Sequence, residues 1–247
     1  MDTTWQKVSK WYDKSVGDEG HYYHQHIILP KLFELMNLKP GDSVLDVACG
    51  QGVLAKQIHE NIRYIGLDGS VDFIQSAKRI AKKNQRFFVA DATKSFPFDQ
   101  KEFTHACIVL ALQNIEKPDE TIKLTCEKLE KNGKIFLVLN HPFFRIPKSS
   151  SWGWDEGRKL QFRIVEKYLS YIVSRITAHP GLKNDTETVS FHYSFSEICG
   201  MLFDAGMVIE GVHEWISDKQ STGGRARAEN ISRREFPLFM TIVARKI

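Results

Sequence analysis

Apolar and polar positions along this chain follow first a helical and then an alternating rhythm. Residues 24–38 place Ile27, Ile28, Leu32, Leu35 and Leu38 at helical spacing. Pro30 falls inside that stretch and suits a first helical turn. Lys39-Pro40-Gly41-Asp42 is a stop-and-turn signal. Short β-rich runs then alternate with helical stretches. Strands are expected at residues 43–47, 64–67, 87–90, 106–112 and 134–139. Helices are expected at 53–60, 71–83 and 119–130, the last closed by Asn132-Gly133. Strands alternating with helices imply a parallel sheet covered on both faces.

The rhythm breaks at His141. Residues 141–193 are rich in aromatics and lack a clean strand–helix unit. Only 161–177 shows helical spacing there, through Phe162, Val165, Leu169, Ile172 and Ile176. A helix over 196–205 follows, then a strand at 207–216. A polar, Gly- and Arg-rich connection covers 217–236, and a strand covers 238–246. The expected organisation is an N-terminal helical lid at 1–38 and one domain at 39–247, with a cap inserted at about 141–193.

Composition narrows the class without naming a function. Of 247 residues, 42% are apolar and 26% charged, values ordinary for a globular protein. Thirty-four basic against 30 acidic residues leave a net charge of +4, too small to point to a nucleic-acid or membrane partner. No secretory signal and no membrane-spanning run is visible. Cysteines at 49, 107, 126 and 199 form no CxxC pair, and read as reduced thiols of a cytoplasmic protein. The histidines at 21, 24 and 26 lack a matching Cys/Asp set, so no metal is expected. Oligomeric state is not legible.

The chemistry concentrates at strand ends. Val44-Leu45-Asp46-Val47-Ala48-Cys49-Gly50-Gln51-Gly52 puts glycines at a strand-to-helix turn, where backbone approaches a ligand closely. Asp46, Asp68 and Asp91 each end one of the first three strands, so their carboxylates converge on the carboxyl rim of the sheet. Gly50 to Ala55 formally satisfies a dinucleotide signature, with Asp68 at about the expected distance. A carboxylate before the first glycine would repel a pyrophosphate, however, and suits the ammonium of a sulfonium cofactor.

LDVACGQG resembles motif I of class I S-adenosylmethionine-dependent methyltransferases, with Ala48 in place of the first glycine. YIGLDGS and FFVADAT resemble the second and third motifs, and LALQNIEKP the segment after strand four in the small-molecule (type 11) subgroup related to ubiquinone- and menaquinone-pathway enzymes. The resemblance implies a doubly wound, Rossmann-like α/β fold: seven mostly parallel strands, a C-terminal antiparallel hairpin strand, and helices on both faces. It implies S-adenosyl-L-methionine as cofactor and S-adenosyl-L-homocysteine as product. The implied cofactor residues are Asp46, Ala48, Cys49, Gly50, Gly52, Asp68, Gly69, Ser70, Asp91, Ala92, Leu110 and Gln113.

The acceptor is expected to be a small aromatic or apolar molecule lined by Tyr12, Tyr22, His24, Arg145, Trp154 and Tyr193. Arg145 could pair with a substrate carboxylate or with an acidic neighbour. His141 or His192 would be the base, if the acceptor must lose a proton. An RNA or tRNA acceptor is the alternative, through Arg225, Arg227, Arg233 and Arg234. A non-catalytic cofactor-binding scaffold is the alternative from another class.

Overall fold

A computed structural model describes residues 21–177 and 187–247. Seven strands form one sheet: β1 (Ser43–Val47), β2 (Arg63–Asp68), β3 (Gln85–Val89), β4 (Phe103–Val109), β5 (Leu129–Asn140), β10 (Met207–Trp215) and β11 (Phe239–Lys246). Their order is β10-β11-β5-β4-β1-β2-β3. The five strands from β5 to β3 run parallel, and β11 enters antiparallel between β5 and β10. This is the doubly wound, mostly parallel sheet with a C-terminal antiparallel strand that the resemblance implied. Order reverses on either side of β1, so the crevice beyond the carboxyl ends of β1 and β4 is where such a sheet binds ligands.

Helices lie on both faces because the central strands are apolar on both sides. In β5, Ile135, Leu137 and Leu139 join one core cluster while Phe136 and Val138 join the other. The first face is covered by α4 (Pro118–Glu127) and α5 (Phe195–Asp204), through Ile122, Cys126, Ile198 and Leu202. The second is covered by α1 (Leu29–Met36), α2 (Val53–Gln57) and α3 (Val71–Arg79), through Leu32, Leu54 and Ile74. Pro30 sits in the first turn of α1, which continues a π-helical turn at His24–Ile28. Ser70 caps α3 by accepting from the Phe73 amide at 3.3 Å. Ser194 and Glu197 form a capping box on α5.

Three expectations are corrected. Residues 161–177 are not a helix: β7 (Leu160–Val165) pairs with β6 (Ser150–Asp155), and β8 (Ile172–Thr177) pairs with β9 (Glu187–His192). The apolar spacing that mimicked a helix belongs to two different hairpins. Residues 217–236 are not all loop, since they hold α6 (Ala226–Glu235), whose buried face is the small pair Ala228 and Ser232. Asn132-Gly133 does not end a helix. It lies inside β5, where the steps from Leu129 to Lys134 face only those from Phe103 to His105, and Asn132 takes φ +66° at that bulge. The first 20 residues, with Tyr12 and most of the expected lid, lie outside the described residues.

Candidate functional site

The site is built on the turn after β1. Ala48, Gly50 and Gly52 all take left-handed backbone, at φ +58°, +56° and +82°. Two of these are glycines, for which that conformation is free of penalty. Ala48 holds it at a cost on the order of 1 kcal/mol. The loop folds over β2, with the Cys49 amide donating to the Leu67 carbonyl at 2.9 Å. The Gly50 amide donates to Asp68 Oδ2 at 2.9 Å, and the Ser70 amide to Asp68 Oδ1 at 2.8 Å. Burial raises the pKa of Asp68 above the usual carboxylate value, and those two amides hold it back.

Asp91 lies just past β3. Its Oδ1 accepts from the Thr93 amide and hydroxyl at 2.9 and 2.7 Å, and its Oδ2 lies 3.2 Å from the Lys94 ammonium. Partial burial works to raise its pKa, but the Thr93 and Lys94 contacts together leave it lowered.

Asp68 and Asp91 open onto one chamber of about 700 Å³ at the carboxyl rim, within the ordinary range for a small-molecule site. Ala48, Gly50, Gly69, Ala92, Leu110 and Gln113 line it too, as does His24 from the N-terminal helical segment. Pro147, Ile176 and Ser190 form a further wall, so the β8–β9 hairpin roofs the chamber. Two buried polar atoms there lack a partner, His24 Nδ1 and Gln113 Oε1. Burial, and then the neighbouring His21, lower the His24 pKa to about 4. At neutral pH its imidazole is therefore uncharged.

Other expected residues stand elsewhere. Asp46 is fully buried beneath the loop and does not line the chamber; its Oδ2 accepts from the Tyr64 hydroxyl at 2.6 Å. Burial lifts its pKa to about 7, against the Tyr64 and Cys107 hydrogen bonds. Cys49, Gly52 and Ser70 support the loop and the α3 cap outside the lining. His141 is also fully buried. Its Nε2 lies 2.7 Å from Glu214 Oε1, and its Nδ1 accepts from the Phe143 amide at 3.3 Å. Both ring nitrogens are thus engaged away from the chamber.

A narrow hollow adjoins the chamber and shares Gln113, Asn140, Pro147 and Ser190 with it. His192, Tyr193 and Arg145 line this hollow. His192 Nε2 donates to the Tyr168 carbonyl at 2.6 Å, which leaves Nδ1 as the accepting nitrogen. The Tyr193 hydroxyl donates to the Ile115 carbonyl at 2.8 Å. Tyr22 lines neither space; its hydroxyl donates to Asp218 Oδ2 at 2.8 Å. Trp154 lies under the Arg225 guanidinium at 4.5 Å, and Arg225 also faces Glu156 at 3.5 Å.

The strand-end rule finds Asp68 and Asp91. Extended to β5, it would also have found Asn140, the last residue of that strand, which lines both chamber and hollow. Ile176 and Ser190 carried no such signal, since their hairpin is invisible in the periodicity.

No described helix is long and apolar enough to cross a membrane. Among the described residues, no group of three or more His, Cys, Asp or Glu side chains is placed to hold a metal ion.

Residues 38–151 match the family described as "Methyltransferase domain". A demethylmenaquinone methyltransferase of Lactobacillus johnsonii is 28% identical over 180 residues, 65% of this chain and 72% of that protein. A carboxy-S-adenosyl-L-methionine synthase of Helicobacter pylori is 24% identical over 226 residues, 86% and 89% of the two chains. Among solved structures, an S-adenosylmethionine-dependent methyltransferase of Mesorhizobium loti superposes with a TM-score of 0.67 at 21% identity, over 93% of this chain and 100% of that one. Sheet order, loop geometry and these similarities agree that the chain carries the fold of the class I S-adenosylmethionine-dependent methyltransferases.

Proposed function

We propose that this chain transfers a methyl group from S-adenosyl-L-methionine to a small acceptor with an apolar or aromatic body. The observation that carries the reading is the chamber itself: about 700 Å³, flanked by the left-handed loop and by Asp68 and Asp91, with two unpartnered buried polar atoms in its wall. The residues suit the cofactor. A Cβ on Gly50 would meet no protein atom within 4 Å, so the turn leaves open room above its backbone. Asp68 is placed for the ribose hydroxyls, Asp91 and Ala92 for the adenine, and Ala48 and Gly50 for the amino-acid end. Gly69, Leu110 and Gln113 complete the enclosure. Cys49, Gly52 and Ser70 act from behind by fixing loop and helix, and Asp46 supports the loop from below.

The bound cofactor supplies an electrophilic methyl group on a positively charged sulfur. The chain's part is to align the acceptor and exclude water, and alignment alone is worth effective molarities on the order of 10^5 M or more. The roof of Pro147, Ile176 and Ser190 provides the exclusion. His24, Tyr193 and Arg145 face the acceptor, with Tyr22 and Trp154 farther from it. Where the acceptor atom carries a proton, His192 serves as base through Nδ1, since His141 has both nitrogens engaged. In the proposed organisation residues 1–38 act as a lid and 141–193 as a cap on one cofactor domain, in the cytoplasm.

Calorimetric titration with S-adenosyl-L-homocysteine, and separately with NAD, tests this. Binding of the first and not the second is expected, with Asp68→Ala weakening it at least tenfold. A chain that ignores S-adenosyl-L-homocysteine overturns the reading.

A further inference from the structure

A second cavity of about 240 Å³ lies farther along the rim, between the β6–β7 hairpin, α6 and the start of β11. Two arginines, Arg145 and Arg233, line it beside Gln161 and Ser217. Trp152 and Phe236 form an aromatic wall, their rings edge to face at 5.5 Å. Arg145 also lines the hollow that adjoins the cofactor chamber. One guanidinium therefore borders both the approach to the chamber and the second cavity.

Among the described residues, no carboxylate lies within ion-pair distance of Arg145 or Arg233. Arg233 donates one bond, from Nη2 to Ser221 Oγ at 2.9 Å, and its Nε is buried without a partner. Arg163 nearby is already spent, on the Phe144 carbonyl and the Ser150 hydroxyl, both at 2.7 Å. Burial lowers the pKa of Arg145, the Tyr23 phenol opposes this, and the Arg233 charge adds to the lowering. Two like charges sharing a partly buried cavity, one with an orphaned N–H, form a receptor for an anion. Planar guanidinium forks match a carboxylate or phosphate, and the aromatic wall suits an apolar body attached to it. Among the described residues Glu229 is the one acidic residue lining the cavity, and no ion pair joins it to either arginine.

We infer that Arg145 and Arg233 form an anion subsite, and that the methyl acceptor is an organic acid whose carboxylate or phosphate they hold. The acceptor half of this rests on the methyl-transfer reading; the anion subsite does not.

Benzoate and phenyl phosphate are titrated calorimetrically into the chain, with benzamide as the uncharged control, with and without saturating S-adenosyl-L-homocysteine. At least one acid should bind at least tenfold more tightly than benzamide. Arg145→Gln and Arg233→Gln should each weaken that acid about tenfold or more while leaving S-adenosyl-L-homocysteine affinity unchanged. Glu229→Gln removes an opposing charge and should tighten the acid several-fold, which keeps the test open if an arginine variant fails to fold. Tighter benzoate identifies a carboxylate site, and tighter phenyl phosphate a phosphate site. Acids that bind no better than benzamide, or acid binding that none of the folded variants changes, overturn the subsite. If the acids bind through these arginines and S-adenosyl-L-homocysteine does not bind, the subsite stands and the methyl-transfer reading falls. If S-adenosyl-L-homocysteine binds and the acids do not, the reverse holds.

Discussion

The Tyr64 hydroxyl donates to Asp46 Oδ2 over 2.6 Å, across neighbouring strands and beneath the glycine loop. Burial nevertheless holds the Asp46 carboxyl near pKa 7, above its unfolded value of about 3.9. A raised folded pKa means that the native state binds the extra proton between pH 4 and 7. Its stabilising contribution is complete below pH 4 and is lost as pH rises through 7. The full swing is on the order of 4 kcal/mol. Thermal melts of Asp46→Asn across pH 4–7.5 should therefore lose a component that falls with pH. Tyr64→Phe should steepen that fall, because it removes a bond to the ionised form.

His24 works in the opposite sense over the same window. Its folded pKa of about 4 lies below the unfolded value of about 6.5, so the unfolded chain binds the extra proton. Stability from this group is complete above pH 6.5 and is lost as pH falls toward 4. His24→Gln should make the chain less sensitive to acid, relative to the parent. An identical pH slope in both proteins would show that the imidazole is not buried neutral.

The two glycines of the loop should separate stability from binding. Gly52 takes φ +82°, and a Cβ there would lie 3.3 Å from the Ala77 Cβ and 3.4 Å from the Phe87 ring. Gly52→Ala should cost about 1–2 kcal/mol in chemical denaturation, from left-handed strain plus crowding. Gly50→Ala meets no protein atom but adds a methyl group at the chamber wall. It should cost about 1 kcal/mol of stability. Its larger effect should be a tenfold or greater loss of S-adenosyl-L-homocysteine affinity by calorimetry.

His141 should prove to be a strut. It stacks on Phe144 at 4.7 Å and donates to Glu214 at 2.7 Å, while fully buried. His141→Ala should destabilise the chain by about 2–3 kcal/mol through lost packing and an abandoned hydrogen bond. Glu214→Gln keeps an acceptor for the same N–H. It should cost under about 1 kcal/mol and leave the pH profile of methyl transfer in place. A displaced acid limb in Glu214→Gln would return His141 to the role of base.

The first three strands of the parallel half were legible because each ends on a mark. Asp68 and Asp91 follow apolar runs, and Ala48-Cys49-Gly50-Gln51-Gly52 is a turn in any context. The cap was illegible for a physical reason. Its hairpins are two-stranded and their burial does not alternate: in β7 Phe162, Ile164 and Val165 are exposed at 39%, 36% and 40%, while in β9 the successive residues Ser190, Phe191 and His192 are all buried. Phe162, Val165, Leu169 and Ile172 then fall three or four apart across a boundary the composition does not mark. Helix α6 escaped because its buried side is Ala228 and Ser232, too small to register as an apolar stripe. Asp46 was legible as a member of the loop, but its depth was not. Only the Tyr64 hydroxyl, on the next strand, reveals that the carboxylate points into the core.

The antiparallel insertion of β11 between β5 and β10 sets an order on synthesis. The ribosome delivers β5 first, β10 later, and the strand that separates them last of the three. Until β11 emerges, Phe136-Leu137-Val138-Leu139 presents an unpaired apolar edge, the kind of template on which nascent chains mispair. The rim that carries the arginine cavity shares this delay, because Leu238 and Phe236 lead directly into β11. The glycine loop after β1 is made early, whereas the arginine cavity is completed only when the sheet closes.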